Sequence, residues 1–484
     1  MKYVDTTMCV RVNENENENG LTTREVEAQI RRKRKETTKR TVPKGTMTST
    51  STSTSTTVWA LVTACVGIVG VIGVAAQLKW NSSATAPTSE SDASTKKNTK
   101  RKTKPEADDG DARVDVLRAI GNTPVTRVES LSALTGCEVF VKCEFLNPGG
   151  SVKDRVALRI VQDALRSGEL KPGGVVTEGT AGSTGVSLAM VCKALGVECF
   201  VAMPDDAALE KSQLVQAYGA RVERVRPVSI ANRGHFVNVA RRAAESACAE
   251  RGEGGGYFAD QFENLANFRA HREGTGREIY EQIGDDLDAF VCACGTGGTL
   301  AGVGAALKER KPSVRLFLAD PQGSGLFNRV VRGVMYTKEE AEGKRLKNPF
   351  DSVTEGVGIN RVTDNFRVLL DQPDMLDGAV KVTDAEAVAM SRFVAKHDGL
   401  FIGSSSAVNL CAAVRVARFL GPGHRVCTIA CDSGLRHMTK FWSDDYLARH
   451  DLTPPELGEE PTLAFLDDDA NAGVVPARGI RRQT

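Results

Sequence analysis

Between Val114 and about His450 the apolar positions keep two rhythms in turn: a short continuous apolar run of strand length, then an apolar stripe at helical spacing. Val175 to Thr177, Glu198 to Met203 and Arg221 to Val225 read as strands. Val186 to Leu195 and Asp206 to Tyr218 read as the intervening helices, closed by Gly196 and Gly219. The alternation resumes after Gly284 with strand Ala289 to Cys294, helix Leu300 to Arg310 and strand Arg315 to Ala319. Farther on come helix Asp384 to Lys396, with Thr383 and Glu386 at capping-box spacing, helix Ser405 to Leu420, strand Val426 to Ala430 and a last helix near Arg436 to Ala448. Repeated strand–helix–strand units make parallel sheet with helices on both faces, so the fold class is α/β. Two such runs predict two doubly wound domains within residues 114–450, meeting near residue 270, with a cleft between them.

The flanks follow other rules. Residues 1–57 hold an alternating Asn/Glu tract, a basic run and a Thr/Ser tract, none able to bury a core, and are expected to be disordered. Asp5, Glu14, Glu16 and Glu18 argue against a cleaved mitochondrial presequence. Val58 to Leu78 carries no charge, with Trp59 near one end and Lys79 and Trp80 just beyond the other. At ~1.5 Å per residue such a helix crosses the ~30 Å hydrocarbon layer, which predicts one transmembrane helix over 58–78. Lys39, Arg40 and Lys44 before it balance Lys79, Lys96 and Lys97 after it, so charge does not orient it. Residues 79–113 read as a polar linker and 451–484 as a disordered acidic tail.

A formal charge of +2 with 41% hydrophobic residues argues against a nucleic-acid binder. Twelve cysteines without a repeated Cys-x-x-Cys pair read as reduced thiols in a cytosol-like compartment, which puts the C-terminal side of the span in the cytosol. Cys292-Ala-Cys294 has metal-like spacing but no nearby histidine to complete a site, so no metal is expected.

The chemistry gathers around Asn147-Pro-Gly-Gly-Ser-Val-Lys-Asp-Arg155, where a turn runs through Ser151 into a helix and leaves Lys153 in the first helical turn. The partial positive charge of that helix end favours the neutral amine that attacks carbonyls. Gly295-Thr-Gly-Gly-Thr299 follows a strand and opens a helix, a place for an anion such as phosphate. The same glycines also suit a plain tight turn, or a dinucleotide fingerprint with Asp320 as ribose acceptor, although Leu300 stands where the third glycine belongs. Thr180-Ala-Gly-Ser-Thr-Gly185 is a second strand-to-helix turn suited to a carboxylate. Asp260-Gln261-Phe262-Glu-Asn-Leu-Ala-Asn267, Glu355-Gly-Val-Gly358, Gly403-Ser-Ser-Ser406 and Asp432-Ser433-Gly434 complete the set. Gln261 also reads as a polar loop residue satisfied by backbone, and Ser433 as a helix cap.

Taken together these motifs resemble the cysteine synthase and cystathionine β-synthase family, pyridoxal-phosphate enzymes of fold type II with a tryptophan synthase β-like architecture, and within it a membrane-anchored fungal-type cysteine synthase. The resemblance spans nearly all of 114–450. It implies Lys153 as the cofactor's lysine and general base, and Gly295, Thr296, Gly297, Gly298 and Thr299 as the holders of the 5′-phosphate. It further implies Thr180, Ala181, Thr184 and Gln261 as substrate contacts, and Ser433 on the pyridine nitrogen. Ala181 and Ser183 depart from the usual Thr-Ser-Gly-Asn-Thr-Gly loop, with Ser183 in place of the asparagine that reaches the cofactor's 3′-oxygen. The implied reaction is that of a transferase: β-replacement joining O-acetyl-L-serine and sulfide into L-cysteine and acetate. The alternatives are condensation of serine with homocysteine, a catalytically silent tethered relative, or an NAD-dependent enzyme using Gly295 to Asp320. A homodimer is implied, and the span points to the mitochondrial outer membrane with the body facing the cytosol, or else to the endoplasmic reticulum membrane.

Overall fold

The computed structural model describes residues 115–336, 352–466 and 473–478, all within the unit 107–484. The expected span 58–78, the expected disorder over 1–57 and the linker 79–113 lie outside the described residues. Among the described residues no helix is long and apolar enough to cross a membrane.

Two sheets organise the body. The larger is seven-stranded, built from β1 (Val125–Arg127), β2 (Glu138–Cys143), β7 (Ala289–Ala293), β8 (Arg315–Pro321), β9 (Gly378–Val382), β10 (Arg425–Ala430) and β11 (Val475–Pro476), in the order β1-β2-β10-β7-β8-β9-β11. Its central strands are parallel, and only β1 and β11 at the edges run antiparallel to their neighbours. The smaller sheet, β5-β4-β3-β6, is parallel throughout, from β3 (Val175–Gly179), β4 (Glu198–Pro204), β5 (Arg221–Val225) and β6 (Gly256–Phe258). The central strands β3, β7, β8 and β10 are covered on two faces, which is why they are apolar runs without alternation, whereas the edge strand β5 is largely exposed. Along β7, Val291 joins the core formed with helices Asp384–Asp398 and Ser404–Leu420, while Phe290 and Cys292 join the core under helix Gly298–Arg310.

The α/β two-domain expectation therefore holds, but the boundary near residue 270 misdescribes the chain's path. β1 and β2 belong to the large sheet, where β2 pairs with β10 in register Glu138↔Arg425 through Cys143↔Ala430. The chain starts in the large lobe, crosses into helix Lys153–Ser167, builds the small lobe and returns. Charged Glu138 and a fully buried Lys142 hide β2 from hydrophobic patterning. A second correction concerns the continuous helix near Arg436 to Ala448, which divides into a 3₁₀ turn, Gly434–His437, and a short helix, Asp444–Ala448. Lys440 and Trp442 both donate their N–H to the His437 carbonyl, at 3.2 and 3.0 Å, and Ser443 caps a fresh start. Nor is the tail uniformly without structure: Leu463 and Leu466 are buried in the large-lobe core, and Val475 pairs with Ala379. Its few apolar residues suffice because they find a preformed surface.

Where the chain crosses between lobes, a buried charge cluster fixes it. Arg155, two residues into the crossing helix, reaches Glu144 after β2 (Nε to Oε2, 2.7 Å) and Glu278 of helix Arg277–Ile283 (Nη1 to Oε1, 2.6 Å). Lys142 Nζ adds contacts to Glu278 at 2.8 Å and to the Thr123 carbonyl at 2.6 Å. Burial alone would raise the Glu278 carboxyl, yet Arg155 and Lys142 bring it down to about 2. Removing one member leaves charges buried without a partner, so Arg155→Leu is expected to lower unfolding free energy by about 3–5 kcal/mol in urea titration.

Candidate active site

Lys153 is the first residue of the helix Lys153–Ser167, with its backbone N–H 3.2 Å from Ser151 Oγ. The residues before it are stitched to the end of β10: Val152 N–H donates to the Cys431 carbonyl at 2.9 Å, and Ser151 forms a β-bridge with Asp432. Behind it Asp154 accepts from Gly149 N–H and Ser187 Oγ, each at 2.5 Å, and burial pushes its carboxyl up to about 6. These contacts fix the backbone on both sides of Lys153. Among the described residues no hydrogen bond or ion pair engages Lys153 Nζ. Its charge bears on Cys292 of β7, on Cys431 and on His271.

The loop Gly295 to Thr299 forms the first anion cradle. Gly297 has φ +84°, and a Cβ on Gly298 would sit 2.2 Å from Asn267 Oδ1, so glycine is required at both positions. No acceptor among the described residues takes the backbone N–H groups of Thr296, Gly297, Gly298 and Thr299, which converge at the start of helix Gly298–Arg310. The loop's side chains are held from outside. Asn267 Nδ2 donates to Thr296 Oγ1 at 2.8 Å, Thr363 Oγ1 donates to the Thr296 carbonyl at 2.7 Å, and His271 Nε2 lies 3.2 Å from Thr299 Oγ1. The other ring nitrogen of His271 lies 2.9 Å from Thr275 Oγ1. Burial, then the charges of Lys153 and Arg155, hold this imidazole well below its ordinary range and so neutral. Asp320, the ribose-acceptor candidate, is 0% exposed and its Oδ2 accepts from the Phe327 N–H at 2.7 Å, at the start of the next helix.

The second cradle, Thr180 to Gly185, ends β3 and opens helix Ser183–Leu195. The N–H groups of Ala181, Ser183 and Thr184 are likewise without a protein acceptor among the described residues, while Gly182 N–H turns back to Thr180 Oγ1 at 3.0 Å. Thr184 Oγ1 donates to Gln261 Oε1 at 2.6 Å, which joins two of the expected substrate contacts. Gln261 N–H in turn donates to Glu178, whose carboxyl burial pushes up to about 8. Ser183 Oγ lies 3.4 Å from Asp432 Oδ2, a long contact that crosses the cleft.

Ser433 follows the Asp432 that bridges to Ser151, pairs with Ile402 and caps a turn: its hydroxyl accepts from Leu435 N–H and donates to the Phe401 carbonyl, both at 3.3 Å. Behind it lies a charge network that the sequence motifs did not reveal. His437 Nε2 is 3.1 Å from Asp432 Oδ2, and His437 Nδ1 is 3.6 Å from Glu355 Oε2. Glu355 also takes Lys440 Nζ at 3.0 Å and Lys211 Nζ from the small lobe. Burial would raise the Glu355 carboxyl, but Lys211, His437 and Lys440 bring it to about 2. For Asp432, burial is likewise outweighed by His437, Lys211 and Arg436, so its carboxyl lies below the ordinary range. Asn267 and His271 were also missed as site residues. Asn267 lies within the segment that supplied Gln261, whereas His271 sits in a π-helical turn, His271–Gly276, that no simple periodicity reports.

An unengaged lysine amine between two sets of free backbone N–H groups fits pyridoxal phosphate, an aldehyde that carries a phosphate and receives an amino acid. The chain matches the model of the family described as pyridoxal-phosphate dependent enzyme over residues 116–432. It is 51% identical over 338 residues to cysteine synthase 2 of Schizosaccharomyces pombe, covering 69% of this chain and 85% of that one. With cysteine synthase 2 of Neurospora crassa it shares 53% identity over 332 residues, covering 67% and 72%. The crystal structure of an O-acetylserine dependent cystathionine beta-synthase from Helicobacter pylori aligns with TM-score 0.57 and 30% identity, over 68% of this chain and 99% of that one. The chain therefore belongs to the pyridoxal-phosphate-dependent enzymes of the cysteine synthase and cystathionine β-synthase family.

Proposed function

We propose that this cleft makes L-cysteine and acetate from O-acetyl-L-serine and sulfide, with Lys153 as the catalytic residue. The observation that carries the reading is the free Lys153 amine, held by its backbone between two anion cradles. Bound pyridoxal phosphate supplies an electron sink that acidifies the substrate's α-proton and lets the β-substituent leave. The remaining work belongs to the chain. Thr296 to Thr299 would hold the phosphate through backbone N–H groups and a helix end, and Lys153 would hold the cofactor's aldehyde end. The Lys153 amine would take the substrate's α-proton. The N–H groups of Ala181, Ser183 and Thr184, with Gln261 braced by Thr184, receive the substrate carboxylate. Ser183 would serve the cofactor's 3′-oxygen, and Ser433, whose hydroxyl otherwise donates to the Phe401 carbonyl, would serve its pyridine nitrogen. The β-carbon loses acetate and gains the sulfur of sulfide, so the exchange balances without an oxidant. The 51% and 53% identities to cysteine synthases support this pair of substrates over serine and homocysteine.

The membrane reading belongs to the same proposal. Residues 58–78 would anchor the protein in the mitochondrial outer membrane, between unstructured segments 1–57 and 79–113, with the catalytic body, a homodimer, in the cytosol. The uncharged stretch and the body's free cysteines, most of them buried, support it.

Incubation of the full chain with O-acetyl-L-serine and sulfide is expected to yield cysteine and acetate by mass spectrometry. Faster formation of cystathionine from serine and homocysteine would reverse the substrate assignment. Lys153→Ala should lower turnover by roughly a hundredfold to ten-thousandfold. Gly298→Ala should weaken cofactor binding about tenfold, read by equilibrium titration of the visible cofactor absorbance, because its Cβ collides with Asn267. In isolated mitochondria the chain should resist carbonate extraction while its catalytic body is digested by added protease; release into the carbonate supernatant would remove the anchor.

A further inference from the structure

The small lobe reaches across the cleft to the large lobe at two large-lobe carboxylates, besides the contact of its own Glu210 with Thr439. Ser183, the first residue of helix Ser183–Leu195, meets Asp432 Oδ2 at 3.4 Å, and Lys211 of helix Leu209–Ala217 forms an ion pair with Glu355. Both carboxylates lie on the large lobe, and one imidazole stands between them: His437 Nε2 is 3.1 Å from Asp432 and Nδ1 is 3.6 Å from Glu355. His437 is 2% exposed, so water does not screen what passes through it. Its backbone is fixed by the N–H groups of Lys440 and Trp442 on its carbonyl. Gly403 covers the ring from the other side, since a Cβ there would lie 2.1 Å from Asp432 Oδ1 and 2.7 Å from His437 Nε2. The ring therefore has little room to turn away from either partner.

We propose that His437 is a positioning residue that couples the two cross-cleft contacts, so that the grip of Lys211 on Glu355 sets where Asp432 holds Ser183 beside the cofactor. Asp432 also precedes Ser433 and bridges to Ser151, so a shift passed through His437 reaches the residues that flank Lys153. The inference rests on the reading of Ser183 as a cofactor-side residue, and it assigns His437 no proton transfer.

The test is a double-mutant cycle between Ser183→Ala and Glu355→Gln, run once with His437 and once with His437→Phe. It is read both in the thermal stability of the cofactor-free full chain and in the dissociation constant of pyridoxal phosphate. With His437 present, the two substitutions should couple by about fivefold or more in cofactor affinity, and non-additively in stability; with phenylalanine they should become independent to within about twofold. His437→Gln, which still reaches Asp432 but not Glu355, should likewise lose the coupling and serves if the phenylalanine variant does not fold. Additive effects with His437 intact, or coupling that survives both replacements, would overturn the inference. Coupling in stability with no effect of Ser183→Ala on affinity would support it while removing Ser183 from the cofactor's contacts.

Discussion

Everything in the cleft depends on the ion cluster around Arg155. Its guanidinium joins the segment after β2, the crossing helix and helix Arg277–Ile283, and each of these leads to a different wall of the site. A neutral core at this place would pack the segments together but leave them free to slide. Paired charges in a low-dielectric interior tolerate few alternative arrangements, because each alternative strands a charge. Lys153 precedes Arg155 by two residues, so it inherits that fixed position. Asp154, held by Gly149 and Ser187, prevents the helix start from unwinding. Among the described residues nothing engages the Lys153 amine, while its backbone is held on both sides.

Both cradles use one physical device. A parallel strand ends, small residues turn the chain, and the first N–H groups of a helix are left with no acceptor among the described residues. The first is braced by Asn267, Thr363 and His271 from outside the loop, so its donors are preorganised without side chains entering the anion's space. The second is more open, with Ala181 exposed and Thr184 buried against Gln261. This difference suits a cofactor that stays in one cradle and a substrate that comes and goes in the other.

Local sequence carried much of this. Strands β3, β4, β7, β8 and β10 and their helices follow from apolar runs and glycine stops, and the Lys153, Gly295 and Thr180 motifs are visible because their glycines and hydroxyls have narrow uses. What stayed hidden depends on distant pairing. β2 reads as polar until β10, far away in sequence, buries Lys142 and pairs with Glu138. Leu463 and Leu466 read as stray apolar residues in a disordered tail until they meet the core. Glu355 shows in sequence only as the start of a Gly-Val-Gly loop and His437 not at all, and it is the folding of the large lobe that puts them 3.6 Å apart. The two halves of the molecule are interleaved along the chain, so a single boundary near residue 270 cannot describe them.

The most direct measurement treats the purified full chain with borohydride, digests it and maps the pyridoxyl label by mass spectrometry. The account predicts the label on the peptide carrying Lys153 and on no other lysine, with labelling reduced when substrate amine is added before the reductant. A label on Lys142, Lys211 or any other lysine, or no label on a chain that has bound the cofactor, would contradict the placement of the reactive amine at the crossing between the lobes.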